Sequence, residues 1–73
     1  MNSKELRRQR RMLRYYTRAA IRSLEECRRY LTRGVWREAK IQLARTRECF
    51  DAAYYTADVM DLVLGNGRRK EGV

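Results

Sequence analysis

The 73-residue sequence contains no proline and no histidine, and it has only four glycines and two cysteines. Because the first glycine is Gly34, nothing in the preceding 33 residues interrupts a helix. The common structural zinc sites are excluded because histidine and a Cys-x-x-Cys pair are both absent. There is also no glycine-rich phosphate loop and no set of converging carboxylates. We therefore expect a protein that is not an enzyme and that holds no metal or cofactor.

Long apolar runs are absent too. No segment approaches the roughly 20 apolar residues of a membrane span, and the charged start from Lys4 onward does not suit a secretory signal. We therefore expect a cytoplasmic protein. A chain of this length has room for one domain, and it buries only about 60% of the surface that its unfolded form exposes. Small domains of this kind usually need a disulfide, a metal or a second protein surface for stability.

Apolar residues and arginines separate onto two faces of a helix between residues 4 and 33. At about 100° per residue one narrow stripe holds the apolar side chains, and the other face holds a row of arginines. A strand period of two would scatter both sets over both faces. The apolar stripe comprises Leu6, Leu13, Tyr16, Ala20, Leu24, Cys27 and Leu31. The row, called here the arginine rail, comprises Arg7, Arg11, Arg14, Arg18, Arg22 and Arg29.

The pattern predicts an all-α fold, an antiparallel hairpin of two long helices. Asn2 or Ser3 is the expected N-cap of a helix over about 3–33, and Gly34 is the expected turn. A second helix over about 35–64 follows, and both helices carry apolar residues at alternating spacings of three and four. The second seam comprises Trp36, Ala39, Leu43, Thr46, Phe50, Ala53, Ala57, Met60 and Leu64. Residues 1–64 thus form one helical domain, and 65–73 are expected to be a flexible basic tail.

Two further patterns bear on this hairpin. The segment from Gly34 to Ala39 resembles the G-x-[YW]-x-x-A turn of tetratricopeptide-type hairpins, which supports the turn. A hairpin that turns at Gly34 places Cys27 and Cys49 about 12 Å apart along its axis, beyond the reach of a disulfide. We expect both cysteines to be small buried or half-buried side chains.

The second helix has a surplus apolar face, called here the outer face. Its main members are Ile41, Tyr55, Val59 and Leu62. A helix that is apolar on two sides is normally buried on two sides. Three surfaces could cover the outer face. The first helix could fold over it to make a three-helix unit, a second copy could make a dimeric four-helix arrangement, or a different protein could bind.

The positive charge is concentrated in the first helix. The chain has a net charge of +9. Residues 1–33 hold 11 basic and 3 acidic residues, which give +8, whereas 34–64 hold 4 and 5, which give −1. Such a field attracts nucleic acid, anionic lipid or acidic protein. GC-rich codon use could explain the abundance of arginine but not its one-sided placement. The arginine rail, with Tyr15 beside it to stack on a base, is therefore the candidate binding surface.

The whole chain resembles small phage-encoded proteins that bind host RNA polymerase. The likeness lies in its length, basicity, helical pattern and opening MNSKELRRQRRML, and it extends to regulators that inhibit initiation and promote antitermination. It implies a non-enzymatic protein, in the host cytoplasm, that docks on a large polymerase subunit with basic residues that also face nucleic acid. The alternative is a direct RNA- or DNA-binding protein, dimeric through the second helix. A membrane surface is the least favoured partner, because tyrosine and alanine outnumber bulky aliphatic residues on the seam.

Overall fold

The computed structural model describes residues 2–65, which form two helices and a tight turn. Helix α1 spans Ser3–Arg33 and helix α2 spans Trp36–Leu64. The all-α fold and the helical hairpin predicted from the sequence are confirmed. Because α1 is continuous, no third helix forms within the described residues. Apart from Gly65, the predicted basic tail lies outside them.

Helix α1 begins with a side-chain cap. The Asn2 Oδ1 atom accepts a hydrogen bond of 2.8 Å from the backbone N–H of Glu5. This bond satisfies one of the backbone donors that a helix leaves free at its start. Asn2 is therefore the N-cap, and it is one of the two residues predicted for this position.

Gly34 ends α1 and starts the turn. Its φ angle of 74° is left-handed, a conformation that favours glycine. The N–H of Gly34 donates to the Leu31 carbonyl at 3.1 Å, and the N–H of Val35 donates to the Tyr30 carbonyl at 2.9 Å. This pair of bonds is the Schellman pattern, which satisfies the last carbonyls of a helix. Helix α2 can then start two residues later and run back along α1.

Small side chains form the contact between the two helices. Within residues 2–65 the buried positions are Ala20, Ser23, Cys27, Ala39 and Thr56. One hydrogen bond crosses the contact, at 2.8 Å between Ser23 Oγ and Thr46 Oγ1. Two such short side chains can meet only where the helix backbones approach closely, because interaxial distance follows the size of the side chains at the contact.

Several large apolar residues that the sequence placed in this contact are exposed instead. Leu24 is 52% exposed, Leu43 is 49% exposed and Phe50 is 61% exposed, so their predicted place in the core is wrong. The physical reason is that alanine, serine, threonine and cysteine occupy the line of closest approach. Leu24 and Phe50 then lie beside this line, where they line a groove between the helices. The prediction was right for Ala20, Cys27 and Ala39, which are buried.

The hairpin is a single layer of helix. Its extents are 48 × 30 × 13 Å, and the smallest is close to the diameter of one α-helix, about 10–12 Å with side chains. Both broad faces of the layer therefore meet solvent. In the described part of the chain, neither helix combines the length and apolar character that crossing a membrane requires.

Candidate functional site

The arginine rail lies on the side of α1 away from the helix contact. Four of its arginines line one shallow depression together with Tyr15 and Ala19; they are Arg11, Arg14, Arg18 and Arg22. Arg7 lies further toward the N-terminus, where it lines a second depression with Lys4, Arg8 and the acidic Glu5. The structure therefore brings most of the predicted rail together, and it adds two basic residues that the sequence analysis did not include.

Arg29 differs from the other members of the rail. Its Nη1 atom lies 2.8 Å from Glu26 Oε1, and both side chains are exposed to solvent. Within residues 2–65, the other five arginines of the rail form no ion pair. No carboxylate within residues 2–65 is thus held at ion-pair distance from these five guanidinium groups. Adjacent cations on one helix face repel each other, so an incoming polyanion would relieve this repulsion.

The length of the rail is set by the helix. From Arg7 to Arg22 the axial distance is about 22 Å, at 1.5 Å per residue. Arginine guanidinium groups form paired hydrogen bonds with phosphate or carboxylate oxygens. A row of this length and composition can therefore bind several phosphates of a nucleic acid, or a set of carboxylates on a protein.

Tyr15 is held beside the rail with its ring largely in solvent. It is 68% exposed, and its ring meets that of Tyr16 edge to face, with centroids 5.5 Å apart and an interplanar angle of 69°. This contact supports one edge of the ring. The exposed ring can stack on a nucleic-acid base or on an arginine of a partner, so the role predicted for Tyr15 is sterically open.

The outer face of α2 is also accessible. Tyr55 is 71% exposed, Leu62 is 50% exposed and Ile41 is 42% exposed, whereas Val59 is half-buried. These residues lie roughly a quarter to almost half a turn away from the residues that contact α1. Helix α1 therefore leaves Ile41, Tyr55 and Leu62 exposed, and the role of the outer face as a partner or dimer face stays a prediction.

A second apolar surface was missed by the sequence analysis. An open groove runs between the two helices on one broad side of the layer, and we call this side the groove face. Its large members are Leu13, Ile21, Leu24, Phe50 and Tyr54. Ile21 and Tyr54 were assigned to no face, and Leu24 and Phe50 were placed in the core. The signal that could have found this surface is the row of small residues beside them.

The opposite broad side of the layer is polar. Arg22, Glu26, Arg45 and Glu48 line it around the Ser23–Cys49 region of the contact. The two sides therefore differ strongly in character, because one presents a mixed set of charges and the other presents large apolar side chains. A partner that recognises one side would not recognise the other.

Neither cysteine forms a disulfide in the described part of the chain. Cys27 is 1% exposed at the helix contact and Cys49 is half-buried, and both are free thiols. The predicted small, buried or half-buried positions of the two cysteines are confirmed. Over residues 2–65 no group of three or more cysteine, aspartate or glutamate side chains could hold a metal ion.

Comparisons of the chain with protein-family models, with curated proteins and with solved structures find no match. The function is therefore inferred from three surfaces: the arginine rail, the outer face and the groove face.

Proposed function

We propose that this protein is a small basic, non-enzymatic regulator that binds a nucleoprotein machine and modulates transcription. The machine to which the sequence resemblance points is the host RNA polymerase, with inhibition and antitermination as the expected effects. The observation that carries the proposal is the arginine rail, whose cations from Arg7 to Arg22 have no acidic partner in residues 2–65. The apolar surfaces lie elsewhere on the hairpin.

Separate surfaces support two separate contacts. Apolar groups buried at a protein interface supply much of the binding energy. Charged rims and patches instead speed association and select partners of opposite charge. The outer face, with Tyr55 at its centre, would anchor the regulator on a protein subunit. The rail would then contact either an acidic surface of that subunit or the nucleic acid that the machine holds.

The alternative function is direct binding to RNA or DNA. The observation that favours it is the position of Tyr15 among Arg11, Arg14 and Arg18, which line the same depression. An exposed aromatic ring within a row of cations is typical of surfaces that bind single-stranded nucleic acid. In this case the phosphates would bind the rail without any protein partner.

Binding measurements separate the two functions. The purified chain is titrated with host RNA polymerase core enzyme, and separately with random duplex DNA and single-stranded RNA, from about 50 to 200 mM salt. A polymerase regulator should bind the core enzyme at physiological salt and change its output in a purified transcription reaction. A chain that ignores the polymerase but binds nucleic acid, with affinity falling steeply as salt rises, contradicts the proposal and supports the alternative.

A further inference from the structure

We propose that two copies of this chain associate through their groove faces to form a four-helix bundle. The proposal concerns the apolar surface between the helices, which is distinct from the outer face of α2. It does not depend on the function proposed above. Its first support is the amount of apolar surface in solvent: Ile21 is 54% exposed, Leu24 is 52% exposed, and Phe50 and Tyr54 are 61% and 66% exposed.

The groove face extends beyond the central groove, although Arg10 and Asp61 lie among its apolar members at the open end of the hairpin. Near the turn it continues with Leu31 and Leu43, which are 45% and 49% exposed, and at the open end it continues with Leu64, which is 48% exposed. Contiguous apolar patches of this kind mark interaction sites. Scaled from the area that large apolar side chains bury, these residues expose roughly 800 Å² per copy. Stable protein interfaces bury about 800 Å² per partner, so one copy offers the area that a dimer needs.

The single-layer shape is the second support. Domains are normally built from at least two packed layers of secondary structure around a shared core. The described residues form one layer with five buried side chains, of which Ser23 and Thr56 are polar. A chain of this size rarely supplies a sufficient core alone. A second hairpin packed on the groove face provides the missing layer and places Phe50 and Tyr54 in a core.

The distribution of charge indicates how the copies stack. Residues 1–33 carry +8 and residues 34–64 carry −1. A twofold axis that runs parallel to the helices places α1 of one copy on α2 of the other. The segment with a net charge of +8 then lies against the segment with a net charge of −1. An axis across the helices instead places α1 on α1, where two strongly basic helices repel each other. The first arrangement is therefore favoured, and it is self-complementary, as a symmetric dimer requires.

Particular charges at the open end agree with this stacking. The Ser23–Thr46 bond fixes the register of the hairpin, so residues whose numbers add to about 69 lie level. Arg10 is thus level with residue 59. Arg10 lines the open end of the groove together with Asp61, and helix geometry places Asp58 on the α2 rim of the groove face. In the bundle, Arg10 of one copy lies beside Asp58 of the second copy. At the turn end the level residues Arg28 and Lys40 are both basic, so they provide no such attraction.

Adjacent tyrosines test which surface forms the dimer. Tyr54 lines the groove, whereas Tyr55 belongs to the outer face, and both are more than 60% exposed. We expect sedimentation equilibrium of the wild-type chain to give about 17.6 kDa, twice the 8.8 kDa of one chain. Tyr54→Glu should give the single-chain mass, and Tyr55→Glu should stay dimeric. A monomeric wild type at about 50 µM, a dimeric Tyr54→Glu, or a monomeric Tyr55→Glu each overturns the proposal.

A charge exchange between copies gives a second test that leaves every apolar side chain in place. Arg10→Asp alone and Asp58→Arg alone each create two like-charge contacts, and each should weaken the dimer by roughly tenfold at low salt. Mixing the two variants restores opposite charges at both contacts of the mixed dimer, so its affinity should return to the wild-type value. If Arg10 instead paired with Asp58 of its own chain, mixing the two variants would restore no contact between opposite charges. A mixture that remains as weak as its two components contradicts the stacking of α1 on α2.

Discussion

The Oγ atom of Ser23 and the Oγ1 atom of Thr46 lie 2.8 Å apart and join α1 to α2. Each hydroxyl has one hydrogen, so one hydroxyl donates across the contact while the other donates to a carbonyl of its own helix. The carbonyl within reach of Ser23 is that of Ala19 at 3.0 Å, and the carbonyl within reach of Thr46 is that of Gln42 at 2.8 Å. Such bonds satisfy polar groups that are withdrawn from water at a helix contact. The pair therefore fixes both the spacing of the helices and their register.

The contribution of this pair can be measured with a double-mutant cycle. Ser23→Ala and Thr46→Ala should each destabilise the protein, and their effects should not add. We expect a coupling free energy of about 0.5–1.5 kcal/mol, the usual net value of one hydrogen bond. The measurement is denaturant unfolding of the four proteins at one protein concentration. Additive effects would show that the two hydroxyls do not interact.

Because the two helices lie close together, we expect residues at their contact to tolerate little increase in side-chain size. Ala39 is 2% exposed at the contact, so Ala39→Leu forces extra atoms between the helices and should cost about 1–3 kcal/mol of unfolding free energy. Ala44→Leu is the matched control, because Ala44 lies on the same helix and is exposed. It should change stability by less than about 0.5 kcal/mol. Equal effects of the two substitutions on thermal or denaturant unfolding would refute the small-residue contact.

We expect a conformational cost when Gly34 in the turn is replaced by a residue with a Cβ atom. A Cβ atom there would lie 3.9 Å from Trp36 Cζ2, which is an ordinary contact, but the φ angle of 74° disfavours residues with a Cβ atom. Gly34→Ala should therefore reduce stability by about 1–2 kcal/mol. Gly34→Asn should cost less, because asparagine tolerates the left-handed region better. Thermal unfolding of the three proteins checks this order, and an alanine variant as stable as wild type contradicts it.

The sequence predicted the hairpin and part of its core, but it also assigned large exposed side chains such as Leu24 and Phe50 to that core. The ends of α1 follow from local chemistry at Asn2 and Gly34, and the rail follows from helical periodicity alone. The core cannot be predicted in this way. Periodicity gives the direction of an apolar stripe only to within about 100°, which is the rotation from one helical residue to the next. At that resolution Leu24 and Ser23 compete for the same contact. Ser23 occupies the contact because its small side chain allows the helices to approach closely. How closely they approach depends on the residues of both helices, so the pattern of one helix alone does not show it.

The outer face gives a prediction about partner binding. Tyr55→Glu places a charge in an apolar surface that lies outside the helix contact. The variant should remain as helical as wild type by circular dichroism, while its affinity for the polymerase falls at least about tenfold. Tyr55→Phe, which keeps the ring, should bind nearly as wild type does. If Tyr55→Glu binds the polymerase normally, the outer face is not the anchor and a different surface must be.

The arginine rail is tested most directly by comparing two triple variants that remove the same charge. One variant changes Arg11, Arg14 and Arg18 to alanine within the rail, and the other changes Arg37, Lys40 and Arg47, which are exposed on α2 away from it. Both should keep their helicity, because arginine, lysine and alanine have similar helix propensities.

The decisive measurement is the affinity of the two variants and of wild type for host RNA polymerase at physiological salt. Loss of three specific charged contacts predicts that the rail variant binds at least about a hundredfold more weakly. The control should bind within a few-fold of wild type, since it loses only the general attraction of its charge. Equal affinities for the rail variant and the control would contradict the account, because the rail would then act only as unspecific positive charge.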